Sequence, residues 1–234
     1  MELIKELEQY IDPRNILSAK RFFKTGKGDY SENDQFIGIS IPNLRKVGKK
    51  YYKTVDLDMI STLLKSKYNE YRYLALIFLG NLYSETNDKQ YVKYYLNNLK
   101  YVNNWNLVDV SAAPLLGKYL YDNNISSKIL FQYARSKNLW LKRIAIVATL
   151  YFIRRDYFKD TFDLAVILFN DSHNLVYKAA GWMLREVGKR DRSKLLKFLD
   201  RYHREMPRIM LSYSIEHLSE LQKKKYRKKK LCLY

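Results

Sequence analysis

Residues 138–155, NLWLKRIAIVATLYFIRR, decide the fold. Their apolar residues fall at helical spacing, with Leu141, Ala145 and Ala148 on one face. Trp140, near the start of the stretch, has a counterpart 35 residues earlier in Trp105. Stepping by 35 through Ala145 reaches Ala75, Val110, Ala180 and Ile215. The position three further on reads Phe78, Ala113, Ala148, Met183 and Leu218, and the position four before reads Tyr71, Asn106, Leu141, Val176 and Leu211. These are i, i+4 and i+7 positions, apolar in nearly every copy. Self-similarity at this period marks stacked helical hairpins. A single unit is too short to bury its own stripe, so its neighbours must cover it. The pattern predicts an all-α helical-repeat solenoid, a superhelix with a concave face.

Composition agrees with that class. Of 234 residues, 47% are hydrophobic and 15% aromatic, too many for a disordered chain. Eight Gly and four Pro are too few for an all-β fold rich in tight turns. The one cysteine, Cys232, cannot form a disulfide within the chain, which fits a reducing compartment. MELIKELEQY lacks a basic start followed by an apolar run, so no signal peptide is expected. The longest apolar run, IAIVATLYFI, is ten residues, too short to span a bilayer. The expectation is a soluble cytoplasmic protein. Net charge is +19, and removing the seven basic residues of KKKYRKKK (223–230) leaves +12, so the body is basic too. An excess of this size points to a polyanion partner, nucleic acid first.

Along the chain, ELIKELEQYI opens as a helix and Asp12-Pro13 starts a second over NILSAKRFFK. KTGKGDYSENDQFIGIS is the longest loop signal, and Pro42 restarts a helix at IPNLRKVGKKYY. TGKG lacks the phosphate-loop spacing and no strand precedes it, so no nucleotide site is read there. It is a surface connection whose Lys27 could touch a phosphate backbone. No internal boundary stands out: residues 1–222 read as one domain and residues 223–234 as a basic, disordered tail.

One slot breaks the stripe. The residue before the Ala series reads Leu74, Asp109, Ile144, Ala179 and Ser214. Asn106 and Asp109 interrupt the copy NNWNLVDVSA (103–112). A buried lone carboxylate is costly unless bonded, paired or facing a wet groove. Two readings follow. Asp109 bonds a neighbouring helix end or a cation such as Arg143 of the next copy, or the solenoid opens here and Asp109 lines a cleft.

WNLVD (105–109), residues 138–155 and KAAGWMLREVGKRD (178–191) resemble the DNA alkylation repair family, the AlkD-type DNA glycosylases built from HEAT-like helical repeats. The segment at 22–51, with its F-x-G-[IV]-x-x-P-x-x-R pattern, is similar as well. The resemblance runs from about residue 15 to 220. It implies a HEAT-like solenoid with a basic concave face and excision of cationic alkylated purines, of the 3-methyladenine and 7-methylguanine type, initiating base excision repair. Carried over by motif, the catalytic carboxylate matches Asp109, the two cleft tryptophans match Trp105 and Trp182, and the cleft arginine matches Arg143. Some members carry a further Trp and Asp where this chain has Asn104 and Asn106. That difference bears on substrate preference more than on the chemistry.

The implied chemistry suits one carboxylate. A cationic base leaves neutral, so no acid is needed to protonate it. The task is to stabilise an oxocarbenium-like sugar and to place a water. Trp105 lies four residues before Asp109, which puts both on one helix face. Each indole could offer a π-face to the cationic nucleotide, and each could equally be a plain core aromatic. Lys142, Lys178, Arg185, Lys27 and Arg45 are candidate phosphate contacts. For Lys142 and Arg185 a solvated or salt-bridged helix face is the simpler reading. His173, His203 and His217 lack ligand spacing, so no metal and no cofactor are expected. Ser111 beside Asp109 has no placed His, which excludes acyl-transfer chemistry. The expected partner is double-stranded DNA carrying alkylated bases, bound by a monomer that associates with the nucleoid when on DNA. The competing readings are a non-catalytic HEAT-repeat module binding damaged or branched DNA, and a protein-interaction scaffold. A scaffold has no use for Trp105, Asp109 and Trp182.

Overall fold

The computed structural model describes residues 2–227. The described chain is all-helical, with a single isolated bridge, Gln35 to Tyr68, outside its helices. No described helix is long and apolar enough to cross a membrane. The helices group into two compact units that divide between Leu115 and Leu116.

The first unit holds α1 (Glu2–Glu8), α2 (Pro13–Phe23), α3 (Ile41–Tyr51), α4 (Leu57–Leu64), α5 (Asn69–Thr86), α6 (Lys89–Asn97) and α7 (Trp105–Ser111). Side-chain caps set their starts. Asp12, Ser40, Asp56, Asp88 and Asn104 each accept a backbone N–H from the first turn that follows. Helix α5 is the spine: α3, α4, α6 and α7 all pack on it, and Leu74, Ala75, Phe78 and Leu79 are fully buried there.

The second unit holds α8 (Lys118–Asp122), α9 (Lys128–Ala134), α10 (Leu139–Ala148), α11 (Leu150–Ile153), α12 (Lys159–Ile167), α13 (Asn174–Arg190), α14 (Arg192–Tyr202), α15 (Arg208–Ser214) and α16 (Glu220–Arg227). Asn138, His173 and Asp191 cap α10, α13 and α14. Helix α13 packs against α10, α14 and α15. A Cβ on Gly181 would stand 2.5 Å from the Met210 carbonyl oxygen, so only glycine allows α15 to approach this closely.

The 35-residue register is the register of the core. Ala75, Ala145, Ala180 and Ile215 are fully buried, as are Phe78, Ala148 and Met183. Each fully buried large side chain of this kind contributes about 1.5–3 kcal/mol. Val110 departs from its series and is only half-buried. Just beyond it, Pro114 lies in a single wide π turn, Ala113–Gly117. A proline inside a helix lacks the N–H and clashes with the preceding turn, and a widened turn relieves both problems.

The boundary expected at residue 222 falls inside α16, which runs through residues 223–227. Tyr226 is the reason. It is 1% exposed, its hydroxyl donates to Asp200 at 3.0 Å, and its ring meets His203 edge-on. The aromatic within the Lys run thus anchors the helix to α14. The rest of the expected tail, with Cys232, lies outside the described residues.

Candidate functional site

In the first unit the site is built on α7. Asn104 caps it by accepting the Trp105 N–H at 2.7 Å. Trp105 and Asp109 then stand one turn apart, and both are half-buried. In the other copies the Asp109 slot is fully closed: Leu74, Ile144 and Ala179 are 0% exposed. The copy that carries the carboxylate is therefore the one whose stripe opens.

Trp105 stacks on Phe23 at 5.0 Å between centroids, with 16° between planes, and Phe23 stacks in turn on Phe36. Phe22 meets Trp105 edge-on at 5.4 Å and is itself 67% exposed. Sequence reading did not single out this pair from α2. The adjacent FF at the end of an amphipathic helix was the available signal.

Beneath α7 lies a buried polar hub. Asp34 and Arg72 form an ion pair with side chains only 4% and 7% exposed. Asp34 also accepts from Asn69 at 3.0 Å and from Asn104 at 2.6 Å, and Asn104 donates to Ser31 as well. Asn69 and Asn106 exchange amide hydrogen bonds. Asn106 interrupts the stripe without opening it, because its amide is satisfied inside the core. Asn104 and Asn106 thus hold α7 in place from within the core. Nearby, Glu70 accepts from the Ile37 and Gly38 N–H groups, and burial pushes its carboxyl above the usual range.

Helices α3 and α5 border a cleft of about 670 Å³ that reaches Val110 and Pro114. Arg45 and Lys49 form one wall, one helical turn apart and exposed. Lys53, a further turn along, is paired with Glu85 at 2.5 Å. Lys27 sits exposed in the loop after α2.

In the second unit Arg143 is buried on α10 and donates from Nη1 to the Leu175 carbonyl at the start of α13. Lys142 pairs with the buried carboxylate of Asp171. On α13, Lys178 is exposed and Trp182 half-buried. Arg185 forms an ion pair with Glu216. The Trp182 indole N–H donates to Glu186 Oε1 at 3.1 Å, and Lys189 holds that same oxygen at 2.7 Å. Lys142 and Arg185 are thus salt-bridged, as the simpler reading had them. Among the described residues no cluster of His, Cys, Asp or Glu could hold a metal ion.

A family profile described as DNA alkylation repair enzyme matches residues 3–218, nearly the whole chain. The chain belongs to the DNA alkylation repair enzyme family. Solved structures show the same fold. A predicted DNA alkylation repair enzyme from Enterococcus faecalis superposes with a TM-score of 0.73 at 15% identity, covering 90% of this chain and 97% of that one. AlkD2 from Streptococcus mutans superposes with a TM-score of 0.54 at 17% identity, covering 87% of this chain and 97% of that one. At these identities the likeness speaks for the helical-repeat fold alone. A comparison with functionally curated proteins returned no match.

Proposed function

We propose that this family member is a DNA glycosylase that hydrolyses the N-glycosidic bond of cationic alkylated purines in double-stranded DNA. Asp109 would be its catalytic carboxylate. The observation that carries the reading is the half-buried Asp109, one turn past Trp105, in a slot that three other copies fill with closed apolar side chains. Keeping a carboxylate there gives up apolar burial that the other copies retain.

The chemistry follows. The bond from C1′ to the purine nitrogen breaks with its electron pair going to the base, which discharges the positive charge and leaves neutral. Positive charge develops on the sugar, and Asp109 stabilises it. A water oxygen bonds to C1′ and gives up a proton, with Asp109 as acceptor. Trp105 and Trp182 supply π-faces to the cationic nucleotide, about 0.5–2 kcal/mol each. Lys178, Lys27 and Arg45, all exposed, are assigned to the phosphate backbone.

The test is chromatography of bases freed from methylated duplex DNA. Wild-type protein should release 3-methyladenine or 7-methylguanine. Asp109→Asn should lose release by a factor of a hundred or more, about 2.7 kcal/mol in the barrier, while binding DNA at least as tightly. Wild-type rates in the variant would remove Asp109 from the chemistry. Salt-sensitive binding with no base released by wild type would leave a non-catalytic DNA-binding module.

A further inference from the structure

The Trp182 indole is held by an anion. Its N–H is the only polar group on the ring, and it donates to Glu186, one turn along α13. The same Glu186 oxygen takes Lys189 at 2.7 Å, and Arg185 Nε lies 3.7 Å away. Arg185 is drawn in turn to Glu216. Two cations thus converge on the same Glu186 oxygen that accepts from the indole, which favours the orientation that keeps that oxygen on the ring N–H.

A surface pair such as Glu186 with Lys189 adds little to stability, 1 kcal/mol at most. Its effect on the ring is more specific. The torsion that swings an indole about its attachment is broad, so an unanchored half-buried Trp samples several orientations. A charge-assisted hydrogen bond selects one. A carboxylate accepting from the N–H also pushes electron density onto the ring. This deepens the negative potential of the π-face, the property that attracts a cation. A neutral base gains nothing from it.

We propose that Glu186 is a specificity-determining positioning residue, which orients the Trp182 indole and biases it towards a cationic base over a neutral one. This rests on the reading of Trp182 as a wall of the base site. Sequence carried the signal in WMLRE, where Trp and Glu fall at i and i+4.

The test uses the full chain with Asp109→Asn, so that bound DNA is not processed. Affinities are measured for two duplexes that differ only in one 7-methylguanine replacing guanine, and the ratio of the two is the readout. Glu186→Ala should lower the ratio about two- to five-fold, the range of a half-exposed cation–π contact. Glu186→Gln keeps an acceptor for the indole and should lose less. Trp182 emission should change in the Ala variant and stay near wild type in the Gln variant. A role confined to the helix surface would change both affinities together and leave the ratio fixed, which overturns the proposal. So does a ratio of one before Glu186 is touched. Base release by the chain with Asp109 intact is scored separately. Its absence, with the ratio still responding to Glu186, would defeat the glycosylase reading and leave Glu186 in its role.

Discussion

Replacing Asp34 by Ala should cost the first unit about 4 kcal/mol. The figure follows from what the carboxylate holds. It pairs with Arg72 at 2.5 Å and accepts from Asn69 and Asn104, all out of water. Removing one member of a buried ion pair costs about 3–5 kcal/mol, because the other charge stays buried and uncompensated. The two amides that lose this acceptor add about a further 1 kcal/mol each in isolation. They share one site, so the terms do not sum. Trp105 reports the result, since it begins α7 immediately after Asn104. With Trp140 and Trp182 changed to Phe, urea unfolding followed by Trp105 emission isolates that unit. At about 2 kcal/mol per molar urea, the midpoint should fall by about 2 M. Asp34→Asn, which keeps an acceptor but no charge, should fall between. Pairing Asp34→Leu with Arg72→Met should restore much of the loss, since no charge is then stranded. A midpoint drop below about 0.5 M for Asp34→Ala would refute the reasoning.

Two further outcomes are expected. Burial is the main cause holding the His173 imidazole below its usual range, and its neutral Nδ1 caps α13 by accepting the Leu175 N–H at 3.1 Å. The unfolded chain therefore takes up the proton first, so stability is full above about pH 6.5 and is lost as pH falls through the folded value. His173→Asn keeps a cap without that dependence, and urea midpoints between about pH 5 and 7.5 should flatten in the variant. If Arg45 and Lys49 contact consecutive phosphates, changing both to Ala should reduce the slope of log K against log salt by about 1.8 in DNA-binding titrations. An unchanged slope would take them off the backbone.

The repeat was legible because its signal is periodic. Ala75, Ala145 and Ala180 could be aligned from sequence alone, and all three are sealed in the core. Helix starts at Asp12-Pro13 and Pro42 were legible because caps and proline act locally. The carboxylate slot at Asp109 stood out for the same reason, as a defect in a regular pattern. What escaped was long-range. Asn106 reads as a break in the stripe, yet its partner Asn69 lies 37 residues away and satisfies it. Asp34 sits in an unremarkable polar loop, and nothing nearby in sequence announces Arg72. The anchoring of Tyr226 depends on Asp200, so a Lys run read by composition alone became a tail where the chain continues as helix.

The reach of Asp34 to Asn104, across 70 residues, also fixes an order of events. During synthesis α2 and its loop emerge long before α7, and their carboxylate waits for its last amide. Contacts this distant in sequence are slow to form. The opening of the Trp105 helix is therefore among the final pieces of its unit to lock, and a ribosome stalled before Asn104 would carry a nascent chain that cannot yet seat it.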